Sequence, residues 1–168
     1  MSYGENAGSG MSAREATAGD AKRIQALARE LAGIVGDTPP SLEAVRARLS
    51  ELLEEPRARV LVAEDEDGAV VGAASLWIKP DLAHGDTVVE VPMLVVAEGH
   101  RREGVGKLLM EEIRSLATGH GAGIIELVAT GDNRPAREFY RSLGFVETDH
   151  VALEFMGDLE DPPDPEDD

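Results

Sequence analysis

A glycine-containing loop between an apolar run and an amphipathic run most constrains how this chain folds. Residues 93–96 are apolar, and they are followed by Arg101-Arg102-Glu103-Gly104-Val105-Gly106-Lys107-Leu108-Leu109. The pattern predicts a strand, a loop and a helix start in succession. The N–H groups of a first helical turn lack partners within the helix, and the helix dipole is positive there. Gly104 and Gly106 carry no Cβ and let a ligand approach the backbone. The segment is therefore a candidate phosphate or pyrophosphate site, although such a loop alone can be an ordinary turn.

A second motif follows later in the chain and reads Asn133-Arg134-Pro135-Ala136-Arg137-Glu138-Phe139-Tyr140-Arg141-Ser142-Leu143-Gly144-Phe145. Four of its residues recur at helical spacing and share one face: Asn133, Ala136, Tyr140 and Leu143. The pattern predicts a short helix that ends at a glycine. Together, the Arg-x-x-Gly-x-Gly loop and this helix resemble the Gcn5-related N-acetyltransferases, a family that uses acetyl-CoA. The resemblance covers residues 13–156 and is strongest over residues 90–145.

The resemblance implies an α/β fold with one mixed, mostly antiparallel sheet, a splayed central pair of parallel strands and helices on both faces, the acyl-CoA N-acyltransferase fold. Sequence patterns predict strands at 13–17, 59–64, 69–78, 87–96, 123–129 and 151–156, and helices at 20–34, 41–53, 104–118 and 133–143. Asp20 is placed to cap the first helix. Pro92 cannot donate to a ladder and marks an edge or a bulge. In the family, a bulge in this strand opens the slot for the pantetheine arm of CoA.

Length and composition indicate one domain with two extensions. The 168 residues are ample for a single core and short for two. Residues 1–12 are expected to be a flexible lead-in, with Met11 as an alternative start, and residues 13–156 to be the N-acetyltransferase domain. Residues 157–168 hold seven acidic residues, three prolines and no basic residue. Such a tail is predicted to be disordered because it has little apolar surface to bury.

The remaining composition excludes several function classes. There is no cysteine, which rules out a disulfide framework and a cysteine nucleophile. Outside the tail the chain has 26 acidic and 16 basic residues. Because contacts to phosphates need clustered Lys and Arg, no nucleic-acid partner is expected. No apolar run approaches about 18 residues and no signal peptide is evident, so a cytoplasmic protein without membrane contact is predicted. The four histidines are scattered, and no metal is expected. Dimers are common in the resembled family, but no heptad seam indicates one here.

Acetyl transfer to an amine needs a route for the amine proton, a polarised carbonyl and protonation of the leaving thiolate. The resemblance implies Glu90 as the base, because histone-acetylating members carry a glutamate at the matching place. Apolar neighbours would raise the pKa of such a carboxyl. The alternatives are a solvent-facing Glu90, a water chain, or Glu126 on the adjoining strand. Tyr140 matches the tyrosine that the family places beside the sulfur as the acid; the alternative is a core tyrosine.

The resemblance also implies how CoA is held. The main-chain N–H of Leu94 would polarise the carbonyl, and that of Val96 would hold the pantetheine arm. Asn133 matches a position that hydrogen-bonds this arm, and it also fits a helix cap. The pyrophosphate is expected on the loop, mainly through the main chain of Arg101, Arg102, Glu103, Gly104, Val105, Gly106 and Lys107. Glu103 departs from the small or basic residue that is usual there, so its charge should point outward.

These features predict an acetyl-CoA-dependent N-acetyltransferase that acts on a primary amine by direct attack in a ternary complex. The acceptor is a small-molecule amine or a protein lysine, and the sequence does not choose between them. A non-catalytic acyl-CoA-binding regulatory module is the alternative. A third hypothesis is an acidic interaction protein that binds its partner through the tail.

Overall fold

The computed structural model describes residues 10–161. Most of the predicted lead-in and the end of the acidic tail lie outside this range. The described strands are β1 (Ser12–Glu15), β2 (Ala58–Glu64), β3 (Val70–Asp81), β4 (Asp86–Val96) and β5 (Ile124–Glu126). The described helices are α1 (Ala21–Val35), α2 (Leu42–Glu54), α3 (Val105–Gly119) and α4 (Arg134–Ser142).

The described strands form one sheet in the order β1-β2-β3-β4-β5. The neighbours from β1 to β4 pair antiparallel, and β4 and β5 pair parallel. One apolar cluster lies between the sheet and α3, and a second lies between the opposite face and the helices α1 and α2. The predicted α/β fold, with a mixed sheet and helices on both faces, is confirmed.

The bulge that Pro92 indicated is present in β4. Ser75 of β3 pairs with Met93 of β4, whereas Trp77 pairs with Glu90. Two residues of β4 therefore oppose one residue of β3, which is the definition of a bulge. The parallel ladder with β5 ends at Glu90. Beyond that residue β4 and β5 separate, which gives the splayed parallel pair.

The prediction for the C-terminal part of the sheet is wrong. The strand expected at 123–129 is limited to Ile124–Glu126, and residues 151–156 form no strand. In the latter segment, Val151, Leu153 and Phe155 are 79%, 90% and 52% exposed. Alternating apolar residues indicate which side chains share a face, but a strand also needs a neighbour that supplies the hydrogen-bond ladder. The described structure offers this segment no such neighbour.

Asp20 precedes α1 as predicted, but its carboxylate does not cap that helix. It accepts hydrogen bonds from the Thr17 N–H at 2.8 Å and from two guanidinium nitrogens of Arg14 at 2.8 and 2.9 Å. The side chain is 10% exposed. The cap prediction is therefore wrong. A hydrogen bond from a charged guanidinium stabilises a buried carboxylate more than one from a helix N–H does. Asp20 connects β1 to the start of α1.

This contact makes the stability of the fold depend on pH. The hydrogen bonds from Arg14 hold the pKa of the Asp20 carboxyl below its ordinary value, against the opposing effect of burial. Such a group stabilises the folded state above its unfolded pKa of about 4, and the contribution is lost as the pH falls.

We expect Asp20→Asn to lower the free energy of unfolding at pH 7 by about 1–2 kcal/mol. Urea unfolding is measured from pH 7 to pH 3. The difference in the free energy of unfolding between wild type and Asp20→Asn should become smaller as the pH falls. The exposed Asp37→Asn is the control, and a difference that stays constant with pH would contradict the assignment.

Candidate active site

The gap between β4 and β5 presents main-chain donors. The N–H of Ala97 donates to the carbonyl of Val71 at 2.8 Å, toward β3. Because successive N–H groups of a strand point to opposite sides, those of Leu94 and Val96 face the β5 side. The carbonyl of Val96 also points away from β3, since it accepts a hydrogen bond from Arg101 Nε at 3.3 Å. The β5 ladder does not extend this far, so both N–H groups face the gap.

The loop after β4 ends in a helix N-terminus beside this gap. Gly104 is the N-cap of α3 and has φ 87°, a left-handed conformation that favours glycine. The first helical hydrogen bond runs from the Leu108 N–H to the Gly104 carbonyl at 2.9 Å. The N–H groups of Val105, Gly106 and Lys107 precede that bond and have no acceptor within the helix. Helix α3 therefore presents three donors and its positive dipole end to an anion.

The side chains of the loop leave this helix end open. Arg101, Arg102, Glu103 and Lys107 are all exposed. Arg102 has φ 65°, the one positive value for a residue other than glycine within residues 10–161. The carboxylate of Glu103 lies 3.0 Å from His100 Nδ1 on the exposed surface. Its negative charge is thus directed to a neighbouring side chain, as the prediction of an outward-pointing Glu103 required.

Two glycines allow the elements around the loop to pack closely. A Cβ on Gly72 of β3 would lie 2.7 Å from Val105 Cγ1, so this glycine lets α3 sit directly on the sheet. A Cβ on Gly106 would lie 2.9 Å from Phe139 Cζ, where α4 packs against the start of α3. The sequence pattern indicated Gly106 only as a ligand contact and gave Gly72 no role, and the packing of both glycines is visible only in the folded structure. Isolated glycines within strand patterns are the signal that points to such positions.

Tyr140 lies on α4 and packs against the α3 side of the core. Its ring is 5.3 Å from that of Phe139 and 5.6 Å from that of Phe145, measured between centroids. Burial raises the pKa of the Tyr140 hydroxyl above its ordinary value of about 10. The hydroxyl is therefore protonated at neutral pH, the form in which it can donate a proton.

Asn133 is the N-cap of α4. Its Oδ1 accepts a hydrogen bond from the Ala136 N–H at 3.3 Å, and Pro135 stands in the first turn. The capping role that the sequence suggested is thus present. The side-chain NH₂ group of a capping asparagine remains a donor, so the cap leaves the second role, toward the pantetheine arm, chemically open.

Glu90 faces the side of the sheet opposite α3. Its strand neighbours Val89 and Val91 belong to the core cluster under α3, so alternation directs Glu90 to the α1–α2 side. There it accepts a hydrogen bond from Lys79 of β3. Val89 and Val91, two of the apolar neighbours expected around this carboxylate, therefore point to the other face, and the Glu90 side chain is 39% exposed. Glu126 lies beside it on β5.

The predicted site residues fall on two sides of one gap. Tyr140, the loop and the start of α3 lie on the α3 side, and Glu90 lies on the other. The backbone of Leu94 and Val96 runs between them. Arg137 of α4 donates hydrogen bonds to both carboxylate oxygens of Glu147 at 2.8 Å. The hydrogen bonds from Arg137 and from Arg141 lower the pKa of Glu147 to about 2.

The family model of the acetyltransferase (GNAT) family matches residues 24–145 of this chain. The matched range contains the gap, the glycine loop, α3 and α4. The chain belongs to the GNAT family. The resemblance inferred from the two motifs is thereby confirmed.

Curated relatives and solved structures agree with this membership. Mycothiol acetyltransferase of Beutenbergia cavernae is 35% identical over 107 residues, which are 63% of this chain and 34% of that protein. Streptothricin acetyltransferase of Streptomyces lavendulae is 33% identical over 93 residues, 55% of this chain and 47% of that protein. The chain thus spans a third to a half of the length of these two relatives. The structure of the aminoglycoside N-acetyltransferase AAC(6')-Iy in complex with CoA shares the fold, with a TM-score of 0.76 at 23% identity, covering 88% of this chain and 95% of that one.

Two further properties bear on this GNAT chain. None of the helices in residues 10–161 is long and apolar enough to cross a membrane. Over the same residues, no group of three or more histidine, aspartate or glutamate side chains is arranged to hold a metal ion.

Proposed function

We propose that this protein transfers the acetyl group of acetyl-CoA to a primary amine by direct attack within a ternary complex. The observation that carries the proposal is the position of the α3 N-terminus beside the β4–β5 gap. The helix end offers donors for a pyrophosphate. The N–H groups of Leu94 and Val96 offer donors for the pantetheine arm and the thioester carbonyl. One extended ligand with these groups in sequence fits both features, and acetyl-CoA is such a ligand.

The residues around the gap supply the proton steps of this reaction. The amine nitrogen attacks the thioester carbonyl carbon, and the negative charge that develops on the oxygen is stabilised by the Leu94 N–H. Before this attack Glu90 accepts one proton of the incoming ammonium, because only the neutral amine has the lone pair that attacks. When the C–S bond breaks, Tyr140 gives its proton to the thiolate. The nitrogen still carries one proton more than the amide, and it passes this proton to the tyrosinate, so free CoA and the neutral amide leave with Tyr140 restored. Asn133 and the main chain of residues 101–107 bind the CoA portion.

A small-molecule amine is the acceptor class that we propose. Two relatives are named for acetylating mycothiol and streptothricin. Glu90 faces the α1–α2 side of the sheet at the end of the β4–β5 ladder, and a carboxylate there attracts a cationic amine. A protein lysine carries the same reacting group, and the experiment below distinguishes the two.

The test is a thiol-release assay with acetyl-CoA and a panel of amines. We expect release of CoA with at least one class among polyamines, aminoglycosides, amino acids and lysine peptides. Turnover confined to the lysine peptides would contradict the small-molecule acceptor. CoA binding by calorimetry without turnover on any amine would favour a non-catalytic acyl-CoA-binding module. Absence of CoA binding would overturn the assignment of residues 101–107.

A further inference from the structure

Glu30 of α1 has a buried carboxylate oxygen that no other group of the described structure satisfies. The side chain as a whole is partly buried, and its Oε2 is buried with no hydrogen-bond partner within residues 10–161. Among the buried side-chain oxygens and nitrogens of that range, it alone lacks a partner. Burying a carboxylate oxygen without a donor destabilises the folded state. Such an exception indicates a ligand or a water molecule at this oxygen.

The nearest candidate cation on the same helix is already used elsewhere. Arg23 lies seven residues before Glu30, two helical turns away on the same flank of α1. Its Nη2 donates a hydrogen bond to the carbonyl of Val70 at 2.8 Å. Within the described part of the chain, no lysine or arginine forms an ion pair with Glu30. The carboxylate therefore differs from that of Asp20, which has Arg14 as its partner.

Helix α1 carries Glu30 over the strand that borders the gap. Helix α2 packs against β2, whereas α1 packs against β3 and β4. Leu27 and Leu31 of α1 belong to the same apolar cluster as Val95 of β4. Glu30 lies between these two leucines in the chain, in the part of α1 that packs on β4. The backbone of β4 supplies the N–H groups that face the gap.

Glu30 also lies on the flank of α1 that is turned away from α2. Gln25 marks the α2 flank, because its Nε2 donates to the carbonyl of Pro40, just before α2, at 3.2 Å. Five residues turn a helix by about 140°, so Glu30 projects from the other side of α1. In the sheet, β5 follows β4 on the side away from β2. Glu30 is thus directed toward the β5 side of β4, where the gap lies.

We propose that Glu30 binds a second cationic group of the acceptor, one that is not acetylated, and so selects small amines that carry two positive charges. This inference rests on the proposed function, because it assigns the acceptor to the same gap and names its class. A second ammonium supplies the donor that Oε2 lacks, in a charge-assisted hydrogen bond. A monoamine of the same length leaves Oε2 without that donor. Glu90 serves the reacting nitrogen, and Glu30 serves the other one.

The test measures the binding of amines to the CoA-loaded protein by calorimetry, which needs no turnover. The probes are diaminopropane, diaminobutane and diaminopentane with terminal amino groups, each compared with the monoamine of the same chain length. We expect at least one diamine to bind about tenfold more tightly than its monoamine, the effect of one hydrogen bond between charged groups. Equal affinities throughout the series would overturn the inference, and a water molecule would then be the partner of Oε2.

The matched variants are Glu30→Gln and Glu43→Gln. Glu43 is an exposed glutamate on α2, so both variants remove one negative charge. We expect Glu30→Gln to bring the ratio of diamine to monoamine affinity to about one, because a neutral amide does not offset the desolvation of the second ammonium. Glu43→Gln should keep the wild-type ratio. An equal fall of the ratio in both variants would assign the preference to net charge and would overturn the role of Glu30.

Urea unfolding separates ligand binding from a structural role. Without ligand, Glu30→Gln should unfold at the wild-type midpoint or above it, because the unpaired carboxylate contributes no hydrogen bond to the fold. A lower midpoint would show that Glu30 stabilises the fold, against the inference.

The proposed function is judged by a different result. Diamine preference that depends on Glu30, without release of CoA from acetyl-CoA, would overturn acetyl transfer and leave this binding site standing. Release of CoA with equal kcat/KM for diamines and monoamines would support acetyl transfer and overturn the role of Glu30.

Discussion

Replacing Tyr140 with phenylalanine is expected to lower kcat by about 100-fold, the lower range of what a positioned acid contributes. The ring remains, so its packing with Phe139 and Phe145 is preserved. In the proposed mechanism, the variant loses only the proton for the leaving thiolate. We therefore expect CoA affinity and the unfolding midpoint to stay close to wild type. Single-turnover kinetics and CoA calorimetry on the same preparation provide the measurement.

The matched control for this variant is Phe145→Leu. It removes one ring contact from Tyr140 but leaves the hydroxyl. It should therefore lower the free energy of unfolding by about 1 kcal/mol and lower kcat by less than about tenfold. The pH profile gives an independent check. In the proposed mechanism activity requires protonated Tyr140, so we expect activity to fall as the pH rises through the pKa of this hydroxyl, which burial raises above its ordinary value. A Tyr140→Phe variant with wild-type kcat would show that water or another group protonates the thiolate.

The second large effect is expected from Gly72→Ala, a change of one methyl group. The new Cβ would lie 2.7 Å from Val105 Cγ1, 3.2 Å from Leu109 Cδ1 and 3.3 Å from the Val95 carbonyl oxygen. Val105 and Leu109 are buried, and the Val95 oxygen belongs to the sheet, so none of the three can simply swing away. Over-packing of this kind costs about 2–3 kcal/mol. Because the first turn of α3 must move, CoA affinity is expected to fall as well.

Gly33→Ala is the matched control for Gly72→Ala. Gly33 lies within α1, and a Cβ there meets nothing within 4 Å. The same substitution should therefore raise the free energy of unfolding by about 0.5 kcal/mol, because alanine favours a helix over glycine. Urea unfolding and CoA calorimetry measure the stability and the CoA affinity of both variants. Equal effects at the two positions would contradict the close contact between β3 and α3.

Local features of this protein could be predicted from the sequence. The end of β4, the glycine loop and the start of α3 form one continuous segment, and so do Asn133 and α4. Their backbone conformations depend on residues within a few positions, such as the cap at Asn133. Pro92 likewise predicted an edge or a bulge, because its missing N–H prevents a regular ladder in any context. These segments also carry the motifs by which the family was identified, so the fold class followed from them.

Contacts between distant segments were decided only by the tertiary structure. Lys79, Glu90 and Glu126 meet because three strands pair in one particular register, and the bulge in β4 shifts that register after Glu90. Gly72 matters because α3 crosses β3 at that residue, which no neighbouring residue specifies. Residues 151–156 have the alternation of a strand, yet the described structure provides them no ladder. The sequence by itself determined the local conformations and the two motifs, since these depend on near neighbours. Register, close packing and charge partners depend on residues far apart in the chain, and only the folded structure brings those together.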